Sequence, residues 1–203
     1  MKDTLTQKEI QIFRKLDTPA KIQDFLDTKI RANFEEHGDT CYSPRQVLKH
    51  KKAQCIEGAI FAAAALRFHG RQPLLVHLQA TKNDLDHVIA VFQVRKLWGA
   101  ISKTNHAVLR YREPIYKNLR ELAMSYFHEY FDDRGRKNLR AYSGPLDLSV
   151  FDKKNWVTSL SDLWYIDRAL NRLRSHQVLP RKKINLRKDD PIEISAGKLT
   201  VWK

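Results

Sequence analysis

The sequence contains only two cysteines in 203 residues, Cys41 and Cys55. Two cysteines are too few for the disulfide framework of a small secreted domain, which favours a protein of the reducing cytoplasm. Neither cysteine belongs to a Cys-x-x-Cys pair, and no two histidines have the His-x-x-x-His spacing of a zinc site. We therefore expect no metal ion and no other cofactor.

The sequence also lacks longer features that would place it in a known class. No apolar run is long enough to cross a membrane, and residues 1–16 are too polar and too mixed in charge for a signal peptide. There is no glycine-rich phosphate-binding loop, no Gly-x-Ser-x-Gly nucleophile motif and no internal repeat. We expect a soluble, globular, cytoplasmic protein without membrane association.

Basic residues exceed acidic residues, 37 to 23, which gives a formal net charge of +14. The segment from Arg168 to Lys188 holds eight lysines and arginines and no acidic residue, and it includes Arg181-Lys182-Lys183. Such charge attracts nucleic acid and other anionic partners, but it also serves solubility alone. Because no recognised nucleic-acid-binding motif is present, nucleic-acid binding ranks third among the functional hypotheses.

Residues 53–70 predict a helix that lies inside the domain. The stretch is rich in alanine, and between positions 55 and 69 only Glu57, Arg67 and His69 can carry charge. A helix that is apolar on nearly every side is typically buried. Cys55 lies at its N-terminal end, where the helix dipole and unpaired backbone N–H groups favour a thiolate.

Three apolar runs after this helix predict strands, over 74–80, 87–94 and 97–101. His87 opens the second strand, 32 residues after Cys55. A cysteine at a helix start and a histidine on a following strand are the arrangement of a thiol nucleophile and its base. The pair is therefore the main candidate for a reactive site.

Charged neighbours of the pair would tune it. The basic residues 49–52 precede Cys55 and would favour the thiolate further, while Asp84 and Asp86 would raise the pKa of His87. The alternatives are a solvated charge run, a solvated turn and a cysteine that is simply a small buried core residue.

The order of these residues resembles the transglutaminase-like superfamily, whose core belongs to the papain-like fold. That family places its cysteine at a helix N-terminus, often followed by an acidic residue, as in Cys55-Ile56-Glu57, and its histidine at a strand start, as in Asp86-His87-Val88. Its third member, usually an aspartate, ends the next strand after a tryptophan-rich segment, and the corresponding stretch here is Trp98 to Asn105. The expected aspartate position holds Ser102, and Asn105 is a neutral alternative for the same role. The resemblance covers about 50 of the 203 residues.

This resemblance implies a cysteine-dependent hydrolase or acyltransferase that acts on an amide or peptide bond of a peptide or protein substrate. Cys55 would attack the carbonyl carbon, and His87 would move the proton. The backbone N–H of Cys55 would stabilise the oxyanion, with the Gln54 side chain as a second donor, and Glu57 and Trp98 would support the site. The missing aspartate motivates an alternative, an inactive relative that uses the same groove to bind a peptide or a partner protein.

The resemblance also implies an α+β fold in which the central helix packs on an antiparallel sheet, with extra helices at both ends. We expect one domain over 1–203, with a core at about 49–105, an N-terminal helical hairpin over 1–35 and a helical, basic extension over 106–203. Within that extension the patterns predict a helix from Pro114 to about Phe131, a helix from Leu160 to Leu173 capped by Ser161, and a hairpin from Pro191 to Trp202.

Overall fold

The computed structural model describes residues 4–34, 38–180 and 184–200. Within these ranges the α-helices are α1 (Gln7–Lys15), α2 (Pro19–Lys29), α3 (Pro44–His50), α4 (Cys55–Phe68), α5 (Leu119–Met124), α6 (Trp164–Arg172) and α7 (Pro191–Gly197). The strands are β1 (Arg31–Ala32), β2 (Lys52–Ala53), β3 (Leu74–Gln79), β4 (His87–Val94), β5 (Leu97–Ile101), β6 (Arg112–Tyr116), β7 (Ala141–Ser143), β8 (Leu146–Asp147) and β9 (Ser175–Gln177). The segments Phe127–Glu129 and Leu148–Lys154 form 3₁₀ helices. The predicted α+β class with an antiparallel sheet and several helices is confirmed.

The main sheet is antiparallel and has the strand order β6-β5-β4-β3-β7-β9, with β8 paired to β3. The three strands expected after the central helix are present as β3, β4 and β5. Ala90 of β4 lies opposite Ile101 of β5, so the start of β4 and the end of β5 lie side by side at the same end of the sheet. This pairing brings His87 and Ser102 to the same place.

The central helix α4 is enclosed, as its composition predicts. Twelve of its fourteen residues are buried, and it packs against β3 and β4 on one side and against α1, α2 and α3 on the other. Gly58 allows a close approach, because a Cβ atom there would lie 2.8 Å from Cγ of Lys103. Lys103, which lies just after strand β5, therefore packs directly on the first turn of α4.

Alternating strand residues separate two apolar cores on the two faces of the sheet. Leu75, Val88 and Ala90 face the layer that contains α4. Val76 and Ile89 face the opposite layer, which includes α5 and the 3₁₀ helix Phe127–Glu129. The sheet is thus covered on both faces, and the C-terminal extension supplies most of the second layer.

The helix predicted from Pro114 to about Phe131 is wrong in its first part and in its length. Pro114 lies in β6 at the edge of the sheet, where a strand tolerates a residue that has no backbone N–H to donate. The helix begins five residues later, because the Asn118 side chain accepts the backbone N–H of Glu121 and caps it.

The other two C-terminal predictions also need correction. Helix α6 starts at Trp164 rather than Leu160, since Ser161 is held in a turn with Ser159 instead of capping the helix. The segment predicted as a hairpin from Pro191 contains α7. Asp190 and Glu193 form a capping box there, which outweighs the alternating apolar pattern.

Some sequence predictions fall outside the described residues. These are the cluster Arg181-Lys182-Lys183 and the last residues of the predicted hairpin. In the described part of the chain no helix is both long and apolar enough to cross a lipid bilayer.

Candidate functional site

A cleft of about 410 Å³ opens where α4, β4 and the loop after β5 begin or end together. Cys55, His87, Gln54 and Asn105 all line it. Its opposite wall comes from residues 129–133 and from the α7 region, including Ile194, Gly197 and Lys198. The C-terminal extension is therefore part of the cleft.

Cys55 is the first residue of α4, and this partly exposed residue lines the cleft. The backbone N–H of Val88, the residue after His87, favours the thiolate form of the sulfur. Burial raises the pKa of the Cys55 thiol, and the nearby Glu57 carboxylate raises it further, while backbone N–H groups oppose both. The predicted stabilisation of a thiolate is therefore outweighed by desolvation.

His87 is buried and bonded to Ser102. The distance from its Nε2 to the Ser102 hydroxyl oxygen is 2.7 Å, and that hydroxyl donates its own proton to the backbone carbonyl of Leu109. The serine hydroxyl has a single proton, which it donates to the Leu109 carbonyl. It must therefore accept the hydrogen bond from His87. Nε2 then carries the ring proton, which leaves Nδ1 of the neutral ring as an acceptor.

Burial, and to a smaller extent the neighbouring His77, lowers the pKa of His87 to about 4. The expectation that Asp84 and Asp86 raise this pKa is wrong. Asp86 turns to His77, with 2.9 Å between the carboxylate and Nε2, and Asp84 accepts the side-chain amide of Asn138. The ring of His87 is left without a carboxylate partner, so it is neutral near pH 7.

Of the two candidates for the third position, Ser102 is the one bonded to His87. Asn105 lies three residues further along and lines the cleft. Ser102 is fully buried behind the histidine ring. The two residues thus occupy different places, one behind the ring and one at the cleft wall.

Glu57 organises the entrance to α4 rather than the reacting groups. Its carboxylate is fully buried and accepts the Gln54 backbone N–H at 2.8 Å, the Tyr42 backbone N–H at 2.9 Å and the Thr40 hydroxyl. These bonds tie the loop before α3 to the start of α4. Gln54 donates its side-chain amide to the Thr40 carbonyl at 2.6 Å, so this bond also belongs to the loop anchor.

Trp98 is far from the cleft along its strand. It lies near the start of β5, whereas Ser102 follows the end of that strand, about 13 Å away at the rise of an extended chain. Its side chain packs with the core on the opposite face of the sheet. Trp98 therefore supports β5 and does not line the site.

Sequence reasoning missed Gln23 of α2, which lies behind the histidine and bonds the backbone of Ser102. Tyr130 lines the cleft and donates its hydroxyl to the Leu85 carbonyl, two residues before His87. A signal for Gln23 exists in the sequence, because it shares the buried face of α2 with Leu26. A polar residue on an apolar helix face requires a hydrogen-bond partner.

In the parts of the chain that the structure describes, no group of three histidine, cysteine or acidic side chains is arranged to hold a metal ion. No protein-family model matches the chain, and no curated protein matches it either.

Proposed function

We propose that this chain is a thiol-dependent hydrolase or acyltransferase that acts on an amide or peptide bond, with a papain-like core of the transglutaminase-like type. The observation that carries the proposal is the neutral His87 held through Nε2 by Ser102, in the same cleft as a cysteine at the start of a buried helix. A nucleophile, a base and an orienting group are the parts that acyl transfer needs.

The proposed first half-reaction begins with proton transfer. Nδ1 of His87 takes the proton of the Cys55 thiol as the sulfur attacks the substrate carbonyl carbon. The resulting oxyanion accepts hydrogen bonds from backbone N–H groups at the start of α4, with that of Cys55 as the first donor. When the carbon–nitrogen bond breaks, the proton on His87 passes to the departing amine, and a thioester on Cys55 remains.

The second half-reaction removes the acyl group. His87 takes a proton from water or from an amine, which attacks the thioester carbonyl, and the thiol of Cys55 is restored. Water gives hydrolysis, and an amine gives transfer. Because Ser102 brings no charge, the imidazolium formed in each half-reaction is less stabilised than it would be beside a carboxylate.

Acylation by p-nitrophenyl acetate tests the proposal without a known substrate. We expect a burst of p-nitrophenolate and an acetyl group on Cys55, located by mass spectrometry of the digested protein. Cys55→Ser and His87→Ala should lose the burst, whereas the matched control Cys41→Ser should keep it. An equal burst from folded Cys55→Ser would refute the proposal.

A second candidate function is a groove that binds a peptide without chemistry. The raised pKa of the Cys55 thiol favours it, because little of the reactive thiolate is present at neutral pH. A folded wild-type protein that is not acetylated at Cys55 in the same experiment would support this alternative.

A further inference from the structure

We propose that Gln23 is a positioning residue of the site, which holds the peptide groups of Ser102 so that its hydroxyl stays on Nε2 of His87. The inference rests on the proposed function of Cys55 and His87. It gives helix α2, which the sequence places in an N-terminal hairpin outside the core, a direct part in orienting the base.

Gln23 and Ser102 form a two-way pair of hydrogen bonds. The Gln23 side-chain oxygen accepts the Ser102 backbone N–H at 2.9 Å, and the side-chain nitrogen donates to the Ser102 carbonyl at 2.8 Å. The same nitrogen donates to a carboxylate oxygen of Asp27 at 3.1 Å, which fixes which end of the amide is the donor. Both Gln23 and Ser102 are buried, so solvent does not offer a replacement.

The position of Ser102 explains why the glutamine is needed. Strand β5 ends at Ile101, and the pairing with β6 recorded at this end is that of Ala100 with Arg112. The backbone N–H and carbonyl of Ser102 therefore lie just past the sheet, in a buried place. The Gln23 amide has the same donor and acceptor as a peptide group, so it takes the role of a neighbouring strand for one residue.

Lys103 attaches the next residue to the same helix. Its ammonium group donates to the carbonyls of Leu26 and Ile30 at the C-terminal end of α2, at 3.0 and 2.7 Å. The last carbonyls of a helix have no intrahelical partner, so donors outside the helix can bind them. Two consecutive residues, Ser102 and Lys103, are thus fastened to α2, which restricts the rotation of the peptide that carries the serine.

This fixed backbone sets the direction of the Ser102 hydroxyl. The hydroxyl lies between the Leu109 carbonyl, to which it donates, and Nε2 of His87, from which it accepts. Loss of the Gln23 bonds would free the Ser102 peptide and with it the serine rotamer. His87 would then populate both neutral tautomers, and Nδ1 would be protonated part of the time and unable to act as a base.

The test is a double-mutant cycle on Cys55 acetylation by p-nitrophenyl acetate. Gln23→Leu removes both hydrogen bonds at similar volume and should lower the acetylation rate about tenfold, as misplacement of a catalytic group does. Against a Ser102→Ala background the same change should alter the rate less than about twofold, because Gln23 acts through Ser102. The control Ile22→Val, on the same buried helix face, should leave the rate unchanged.

A spectroscopic readout separates positioning from general loss of packing. In ¹⁵N NMR the wild-type His87 should show a protonated Nε2, and Gln23→Leu should shift it to a mixture of tautomers. If Gln23→Leu does not fold, Gln23→Glu replaces it in both measurements, since it keeps the acceptor for Ser102 N–H and removes the donor to the Ser102 carbonyl.

The outcomes distinguish the two proposals. If Cys55→Ser is inert but the glutamine variant has the wild-type rate and tautomer, the role of Gln23 is wrong and the proposed function stands. The role of Gln23 is also wrong if its replacement lowers the acetylation rate in the Ser102→Ala background as much as in the wild type. If folded Cys55→Ser is acetylated like the wild type, the proposed function fails first, and this inference fails with it.

Discussion

The position of Cys55 has two opposite effects on the pKa of its thiol. The start of a helix offers backbone N–H groups that stabilise a thiolate, but the helix is buried, and removal from water destabilises the same charge. Burial is the larger effect, so the pKa of the thiol lies above its ordinary value. The resting pair is a neutral thiol and a neutral imidazole.

The two cysteines should differ in their reaction with iodoacetamide. Cys55 is partly exposed, so it should be alkylated at a rate that rises with pH and is still rising above about pH 8.5, the ordinary thiol pKa. Cys41 is fully buried, and burial raises its pKa, so it should stay unmodified in the folded protein. Mass spectrometry after brief treatment measures both. Equal labelling, or labelling of Cys41 alone, would contradict the assignment of Cys55.

Alanine replacements should separate Ser102 from Asn105. Ser102→Ala removes the acceptor of His87 Nε2–H, so acetylation of Cys55 should slow and the tautomer should change. Asn105→Ala should leave the tautomer unchanged, because Ser102 holds the ring. Ser102→Asp should raise the pKa of His87 above about 4, since a carboxylate stabilises the imidazolium. Histidine titration by NMR decides, and an unchanged tautomer in folded Ser102→Ala would contradict the role of the serine.

At the scale of elements, the site depends on how three elements end rather than on their interiors. Helix α4 begins at Cys55, β4 begins at His87, and β5 ends just before Ser102. Periodic patterns in the sequence predict these elements and place their ends close to the observed ones. Such patterns do not contain the contact between α2 and the residues after β5, since the Gln23 side chain bonds the backbone of a residue 79 positions away.

The close contact of α4 with the segment after β5 can be tested at Gly58. In Gly58→Ala the new methyl group would collide with the Cβ and Cγ atoms of Lys103, so we expect a loss of about 1–3 kcal/mol in the free energy of unfolding. The displaced Lys103 should also slow Cys55 acetylation. Gly144→Ala is the matched control, because a Cβ there meets no atom within 4 Å. Urea denaturation measures both variants, and equal stabilities would show that the contact yields without cost.

At the scale of the whole molecule, buried titratable groups connect the site to stability. His87 has a folded-state pKa of about 4, below its ordinary value of 6.5. Between these two values the unfolded chain binds a proton that the folded chain does not, so stability falls as the pH is lowered from about 6.5 to about 4. A lowered carboxyl pKa, such as that of Glu9, has the same sign, but its effect lies mainly below the ordinary value of 4.5.

We therefore predict an acid-labile folded state that depends on one residue. Wild-type protein should lose about 3 kcal/mol of unfolding free energy between pH 6.5 and pH 4, and His87→Gln should lose clearly less. Urea denaturation across this range measures the difference. A parallel decline in wild type and His87→Gln would assign the effect to other groups.

The amino-acid sequence by itself determines the local features of this protein. An alanine-rich apolar stretch dictates a buried helix, alternating and β-branched runs dictate β3 to β5, and capping residues dictate most helix starts. The order of Cys55, His87 and Ser102 along the chain is enough to nominate the site. The predictions of the helix and the strands succeed because they depend on neighbours within a few residues.

Tertiary structure alone decided the rest. It decided that Pro114 lies in an edge strand, that the Asp86 carboxylate contacts His77 rather than His87, and that Glu57 anchors a loop. It also decided the charge states at the site, because burial and the choice of hydrogen-bond partner set a pKa, and both arise only when distant segments pack together. The fastening of Ser102 by Gln23 belongs to the same class, since a buried backbone group must find its partner wherever the fold places one.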